Sequence, residues 1–489
     1  MGKGATYLYI ETIVGLFSGY ILWLILSNIV TPEIIGNSSI VISFSSIFAT
    51  IASIGVPFGV SHLLGKSIIE NRLDYSIKYV KTAIVIVMMG IFATSTIILI
   101  LREAIYFFDI TLITLSILIM GTSCMATLFR YVVIATLDTK KLPVIILVSS
   151  GTKTILAIVL VLVGYGVIGI TMGYLSYHVI SCLLLSYTVM TILKTYPKKS
   201  LIKYRNTFKS MLLASVPSWI PTLITAIGSG DLGLIIVFGS SGARQAGSFF
   251  LSYAIYSAMA AICYSLFSIA LPLLSGMDDS RKRLTSELMK MSLIVSMPIS
   301  SSIIFYSYDV MRSFGTGYTN ASMSLEILLL TLLPFSFFIG VMTLVYSYGN
   351  YRQVLLLGIA SALPRTLLYF VLSGPFGATG VAVSYAVGTI IGFFVAIAIA
   401  KKVKFWISWR DISAVMTIPL GISFAFAYFS INFIPAVAAT IVISYIVFLK
   451  LKILKRNEVE DTLNLLPDNI GKPITKVVNL LGMKLNPEY

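Results

Sequence analysis

The stretch YGVIGITMGYLSY at 165–177 returns as FGATGVAVSYAVG at 376–388, and the two align without a gap when the chain is shifted by 211 positions. The same shift places Gly36 on Gly247. Because one offset holds over most of the chain up to about residue 400, the sequence contains two copies of one unit.

The composition describes a membrane protein. Of the 489 residues, 57% are hydrophobic and only 11% are charged, and the mean hydropathy is +0.96. Soluble domains carry about 25% charged residues. Helices of about 20 apolar residues cross ~30 Å of hydrocarbon, and fourteen such segments are predicted. They lie at 5–29, 35–60, 80–101, 109–136, 143–163, 168–193, 210–238, 247–274, 288–308, 323–347, 354–374, 378–400, 411–430 and 433–450. The sequence therefore predicts an all-α polytopic membrane protein.

The distribution of the basic residues predicts the orientation. With the N-terminus in the cytoplasm, all but six of the 35 Lys and Arg residues lie in cytoplasmic loops or tails. The exceptions are Arg102, Arg244 and Arg312 in outer loops, and Arg130, Lys153 and Arg365 within predicted helices. The positive-inside rule then predicts that both termini are cytoplasmic. The net charge of +16 is thus explained as an orientation signal, and no nucleic-acid partner is expected.

The repeat predicts the domain organisation. Residues 1–194 form an N-terminal lobe of six helices, and 210–400 form a C-terminal lobe that repeats them, joined by a basic linker at 195–209. An even number of helices per copy makes the repeats parallel, related by a pseudo-two-fold axis along the membrane normal. Residues 401–450 add helices thirteen and fourteen, and 451–489 form a cytoplasmic amphipathic tail.

Two cations at nearly equivalent positions of the repeat are the main candidate substrate contacts, because the 211-residue shift places Lys153 on Pro364, beside Arg365. Lys153 and Arg365 each lie ten or eleven residues into a predicted helix, about 15 Å deep and near the membrane midplane. A charge at that depth costs about 2.5 to 3.5 kcal/mol, so it faces a hydrated cavity or a partner. We expect a cavity that binds an anion, and the alternative is an ion pair inside a lobe.

Other intramembrane polar groups are weaker candidates. Arg130 either contacts substrate or snorkels to the cytoplasmic interface. Glu11 and Asp231 are candidate coupling sites for H⁺ or Na⁺, and the alternative role of each is to pair with a cation across the lobe interface. His178 is expected to be a packing residue.

Two hydroxyl stripes run along predicted helices two and seven, each on one helical face. Ser46 and Thr50 in the first stripe, with Ser218 and Thr222 in the second, are candidate contacts to sugar hydroxyls. Either stripe could instead serve close helix packing. Pro217 and other Pro and Gly residues predict a kink, and a possible hinge, in helix seven.

No catalytic constellation is present in the sequence. Its two histidines, His62 and His178, lie far apart, no phosphate-binding glycine loop follows a strand, and the cysteines show no metal spacing. The chain is therefore not expected to be an enzyme or to carry a metal or other cofactor.

The chain resembles a known family in the stretches SNIVTPEIIGNSSIVISFSSIFATIASIGVPFGVSHLLGK (27–66) and SVPSWIPTLITAIGSGDLGLIIV (215–237), together with the repeated stretches at 165–177 and 376–388. It is similar to the polysaccharide-exporter and lipid-linked oligosaccharide flippase branch of the MATE-like (MOP) flippase superfamily. The resemblance covers nearly the whole chain and implies two six-helix lobes that rock about a cation-lined cavity. Asp231 falls where the family often has an acid. Lipid II flippases carry arginines in helices one, two and eight; these helices contain no arginine here, so lipid II is not the expected substrate.

The leading hypothesis is a flippase that moves a polyprenyl-(pyro)phosphate-linked glycan to the outer leaflet of the plasma or inner membrane by alternating access. Membrane lipids and glycan-assembly enzymes are its expected partners. The alternative is a MATE-type antiporter that exchanges organic cations for H⁺ or Na⁺, which two midplane cations disfavour. A glycan polymerase or ligase is disfavoured because the longest outer loop, about 309–322, is short.

Overall fold

The computed structural model describes residues 2–70, 72, 75–105, 109–196, 204–277, 280–407, 409–451 and 453. Within these residues the chain is helical throughout, which confirms the predicted fold class. The α-helices are α1 (Gly2–Ile29), α2 (Pro32–Ala52), α3 (Val56–Ile69), α4 (Ser76–Ile100), α5 (Ile110–Ala135), α6 (Leu142–Leu162), α7 (Gly166–Lys194), α8 (Tyr204–Ile227), α9 (Gly230–Gly276), α10 (Arg281–Phe305), α11 (Ser307–Ser313), α12 (Ser322–Leu330), α13 (Leu332–Ser347), α14 (Tyr351–Lys402), α15 (Trp409–Tyr428) and α16 (Phe433–Lys450). The centre of the predicted linker and nearly all of the predicted tail lie outside the described residues.

Helical stretches long and apolar enough to cross a membrane number 12 within the described residues. Two of them, 206–267 and 351–402, each overlap two of the predicted segments, so every predicted segment overlaps one of the 12. The count of fourteen crossings stays a prediction. Predicted helix two differs in one respect, because it breaks at Gly55 into α2 and α3.

Two glycines break the two longest helices. Gly242 in α9 has φ 85° and ψ 174°, and Gly377 in α14 has φ 53° and ψ −132°. Left-handed φ values of this kind are accessible to glycine at little cost. Both glycines lie between predicted spans, so the breaks are where the chain turns.

Side chains next to the break in α9 satisfy backbone groups next to the break in α14. The Ser241 hydroxyl donates to the Ser373 carbonyl at 2.7 Å, and Gln245 Oε1 accepts from the Ala378 amide at 3.2 Å. A helix break leaves such carbonyls and amides without partners, which is costly away from water. The turn in α9 therefore stabilises the turn in α14.

Contacts divide the chain into two compact units. The larger unit comprises Glu11–Leu251 and Gly358–Gly388, and the smaller comprises Met1–Ile10, Ser252–Leu357 and Thr389–Tyr489. These boundaries cut across the sequence repeat, and the lobe boundaries stay a prediction.

Glycines set the helix crossings in the larger unit. A Cβ on Gly90 of α4 would lie 2.1 Å from the Ala52 carbonyl oxygen of α2, and one on Gly59 of α3 would lie 2.1 Å from the Ser215 hydroxyl of α8. Small residues are the usual means of close helix packing in membranes, where lipid removes the hydrophobic driving force.

In the smaller unit the two helices outside the repeat attach to α10. Phe448 of α16 and Val415 of α15 are buried in one cluster with residues of α10. A chain of hydroxyls supports it: Ser302 Oγ lies 3.3 Å from Ser423 Oγ, which lies 3.4 Å from Thr440 Oγ1. Hydrogen bonds between helices contribute on the order of 0.6 kcal/mol each in a membrane.

The packing role of Gly90 is testable against Gly151, a helical glycine around which a Cβ would meet nothing within 4 Å. We expect Gly90→Ala to cost about 1 to 3 kcal/mol through overpacking. Gly151→Ala should leave stability equal or slightly higher, because alanine favours a helix. Thermal unfolding of the purified variants in detergent measures both, and equal midpoints would contradict the assignment.

Candidate functional site

Lys153 is a buried cation that lies against aromatic rings. Its Nζ lies 4.9 Å from the ring centroid of Tyr174 and 5.2 Å from that of Tyr177, and the residue is 7% exposed. Among the described residues, no carboxylate lies within 4.0 Å of this amine, so the ion pair considered from the sequence is not formed there. Cation–π contacts of this kind contribute about 2 kcal/mol when desolvated. The charge is stabilised without being neutralised.

Close packing of α6 on α7 places the rings under the amine. A Cβ on Gly173 would lie 2.7 Å from the Ala157 Cβ and 2.9 Å from the Lys153 carbonyl oxygen, so glycine allows the two helices to touch. The Trp23 indole donates to the Tyr174 hydroxyl at 3.1 Å, which fixes that ring.

Arg365 is also buried over a tyrosine, and it has a backbone partner. Its Cζ lies 3.9 Å from the Tyr385 ring centroid, and Nη1 donates to the Gly228 carbonyl at 2.6 Å. Gly228 follows the end of α8, and the hydroxyl of Thr366 donates to the Ile227 carbonyl beside it at 3.0 Å. Carbonyls at a helix end lack intrahelical partners and favour a nearby cation. Arg365 therefore stabilises the break between α8 and α9, where the sequence predicts a kink in helix seven.

The cation–tyrosine pair is repeated in space. Tyr174 and Tyr385 occupy equivalent positions under the 211-residue shift, and each lies under the cation of its own copy. The position equivalent to Tyr177 is Gly388, where a Cβ would lie 2.6 Å from the Arg365 Cβ. The second copy therefore has no aromatic ring at this position, and the glycine leaves space for the Arg365 guanidinium, which is larger than the Lys153 ammonium group. The tyrosines were not among the predicted site residues, although their equivalence was visible in the sequence.

Glu11 and Arg130 form a bidentate ion pair. The distance from Nε to Oε1 is 2.7 Å and that from Nη2 to Oε2 is 3.0 Å. The Glu11 side chain is 6% exposed and the Arg130 side chain 36%. The structure thus brings together two residues predicted separately. Both lie within residues 1–194, so the pair differs from the alternative considered for Glu11, a cation across the lobe interface.

Asp231 lies in the first turn of α9, directly after the break that Arg365 stabilises. Ser43 donates to its Oδ1 at 2.7 Å. A carboxylate at a helix N-terminus is favoured by the helix dipole. The two ends of the break therefore carry complementary charges, a cation on the α8 side and an acid on the α9 side.

The two hydroxyl stripes lie beside each other. Trp219 on the second stripe's helix donates its indole N–H to the Thr50 carbonyl at 3.1 Å. The hydroxyls of Thr50 and Thr222 donate to carbonyls of their own helices, those of Ser46 at 3.1 Å and Ser218 at 2.8 Å. Because the hydroxyls of Thr50 and Thr222 already donate their hydrogen, each can only accept a further hydrogen bond. Ser46 is exposed, and Thr50, Ser218 and Thr222 are half-buried. Ser215, which also belongs to the second stripe, is buried and packs against Gly59.

The ion pair between Glu11 and Arg130 predicts a stability pattern. Removing one partner of a fully buried pair costs about 3 to 5 kcal/mol, and the partial exposure of Arg130 lowers our expectation to about 1 to 3 kcal/mol. We expect Glu11→Gln to lower the unfolding midpoint, and Glu11→Gln with Arg130→Gln to recover much of the loss. Unfolding in detergent tests this, and a double variant as unstable as both losses added together would contradict coupling between the two residues.

Neither a protein-family model nor a curated protein matches this sequence. Solved structures do match. The lipid II flippase MurJ in an inward closed conformation aligns over 91% of this chain and 98% of its own, with a TM-score of 0.68 and 15% identity. An inward-facing multidrug resistance MATE family transporter aligns over 85% and 99%, with a TM-score of 0.60 and 14% identity.

A third match is a MOP superfamily transporter from Pyrococcus furiosus, described as having a binding pocket of reverse polarity. It aligns over 85% of this chain and 96% of its own, with a TM-score of 0.58 and 15% identity. At these identities the similarity shows the fold. The chain is a multi-pass membrane protein with the fold of the MOP superfamily flippases and transporters, as its sequence predicts.

Proposed function

We propose that this protein is a flippase that moves a polyprenyl-(pyro)phosphate-linked oligosaccharide or polysaccharide unit from the cytoplasmic to the outer leaflet by alternating access. The observation that carries the proposal is Lys153, which is buried over two tyrosine rings with no carboxylate within 4.0 Å among the described residues. A phosphate or an acidic sugar is the chemical group that such a cation recognises.

The two repeat-related cations have different roles in this proposal. Lys153 contacts the anionic group, whereas Arg365 is bonded to the Gly228 carbonyl and acts first on the helix break. The first hydroxyl stripe, which contains Ser46, and the second, which contains Ser218, supply hydrogen bonds to sugar hydroxyls. Arg130, bound to Glu11, keeps a partly exposed guanidinium that can contact substrate at the edge of the site.

The membrane potential favours this direction of transport. A substrate with two negative charges that moves outward across 100 mV, inside negative, gains about 4 to 5 kcal/mol, from about 2.3 kcal/mol per charge. The proposal includes coupling to H⁺ or Na⁺, for which Asp231, whose carboxylate accepts a hydrogen bond from Ser43, is the better candidate. The carboxylate of Glu11 is already engaged by Arg130.

That same Asp231 site supports a second candidate function, a MATE-type antiporter that expels organic cations in exchange for H⁺ or Na⁺. The buried charge of Lys153 repels such a substrate, which places this candidate second. In either case we propose the plasma or inner membrane with cytoplasmic termini, and for the flippase, glycan-assembly enzymes as partners.

The proposal predicts the effect of removing the Lys153 charge. Hydrogen bonds to charged groups contribute about 1.5 to 3 kcal/mol, so Lys153→Ala should slow translocation about 10- to 100-fold. Lys153→Arg should retain more activity than Lys153→Ala. The measurement is flipping of a fluorescent, short-chain polyprenyl-pyrophosphate saccharide in proteoliposomes, scored by protection from a membrane-impermeant quencher.

Lys140 provides the matched control, because it is an exposed lysine in the turn that precedes α6. Lys140→Ala should flip the probe at the wild-type rate. Wild-type rates in a well-folded Lys153→Ala variant would refute the site. Wild-type vesicles that ignore the saccharide but exchange an organic cation for H⁺ or Na⁺ would favour the antiporter.

A further inference from the structure

Two glycines at equivalent positions of the repeat make equivalent contacts: each packs against the residue four positions before the other. A Cβ on Gly36 would lie 1.8 Å from the Ala243 carbonyl oxygen, and one on Gly247 would lie 2.2 Å from the Pro32 carbonyl oxygen. The 211-residue shift carries Gly36 onto Gly247 and Pro32 onto Ala243. When residue i contacts j and the equivalent of i contacts the equivalent of j, a two-fold axis passes between them. The pseudo-axis of the repeat therefore runs through this contact.

One turn of helix from these glycines, a second pair of equivalent residues carries opposite charges. The same shift places Glu33 on Arg244, and Oε1 of the former lies 3.8 Å from Nε of the latter. A residue near a two-fold axis meets its own equivalent, so a faithful duplicate would place like charges together. Here the copies have diverged to an acid and a base, and repulsion has become attraction.

The Glu33–Arg244 pair has the location and the weak interaction expected of a gate that opens and closes. Both residues lie in or next to the turns between helices one and two and between helices seven and eight, which the charge distribution predicts to be on the outer face. The side chain of Glu33 is 48% exposed and that of Arg244 is 65% exposed, so the pair is weak and sensitive to salt. A weak contact shifts an equilibrium between two states without locking either one.

We propose that Glu33 and Arg244, with the contact of Gly36 on Gly247, form a charge-dependent latch that holds the outer end of the transport pathway closed. The latch rests on the proposed alternating access and adds the residues that hold one of its states. Opening to the outside separates the four residues, and closing brings them together at the pseudo-axis.

The test measures the distance between the two repeats directly. Spin labels at Asn28→Cys and Gly239→Cys, which are equivalent positions beside the latch, report on its opening in a cysteine-free full-length chain in nanodiscs. Glu33→Arg and Arg244→Glu should each raise the ratio of long to short distances about 3- to 10-fold. The double reversal Glu33→Arg with Arg244→Glu should restore the wild-type ratio. Arg102→Glu, an equal charge change at another exposed arginine of the predicted outer face, should leave the ratio unchanged.

A second variant tests the glycine contact separately. Gly36→Val should lengthen the distance, because its side chain cannot fit against the Ala243 carbonyl. If Gly36→Val acts but the single charge reversals do not, or if the double reversal fails to restore closure, the charge latch is refuted. The readout needs no substrate. A latch that responds as expected in a protein that flips no saccharide would therefore leave the latch standing and remove the proposed function.

Discussion

A helix that breaks inside a membrane must find new partners for the backbone groups that it exposes, and this constraint accounts for much of the polar chemistry of the larger unit. The break between α8 and α9 is capped by Arg365 and Thr366. The break in α14 is capped by Ser241 and Gln245. Each cap lies on a different helix from the break it satisfies. Movement of α14 relative to α8 or α9 would therefore break these side-chain-to-backbone hydrogen bonds.

The two copies of the repeat keep a geometry and diverge in chemistry. Each retains a cation above a tyrosine, Lys153 on Tyr174 and Arg365 on Tyr385. Only the second cation donates to a carbonyl beside a helix end, and Gly388 leaves room for it where the first copy has the Tyr177 ring. Divergence at the pseudo-axis, by contrast, produced an attractive charge pair. The 211-residue shift relates Tyr174 to Tyr385 and Glu33 to Arg244, whereas it places Lys153 on Pro364, one residue before Arg365.

The charged groups differ in how they are compensated. Glu11 and Arg130 neutralise each other, so their burial needs no further partner. Lys153 is stabilised by π faces that leave its formal charge intact, and an anion that reaches it would gain a strong interaction in a medium of low dielectric. This contrast, and not the number of cations, separates a structural ion pair from a candidate binding group.

The sequence by itself determined the helical membrane architecture, the positions of the spans, the duplication and the kink in helix seven, because hydropathy, one constant offset and the Pro and Gly residues report these directly. It also predicted that Lys153, Arg365, Glu11 and Asp231 lie within membrane-spanning helices. Only the tertiary structure decided which of these charges meet. Glu11 and Arg130 are 119 residues apart, and Ser43 and Asp231 are 188 apart. Periodicity describes one helix at a time, whereas the partner of a buried charge depends on which helices pack together and how closely their glycines allow them to approach.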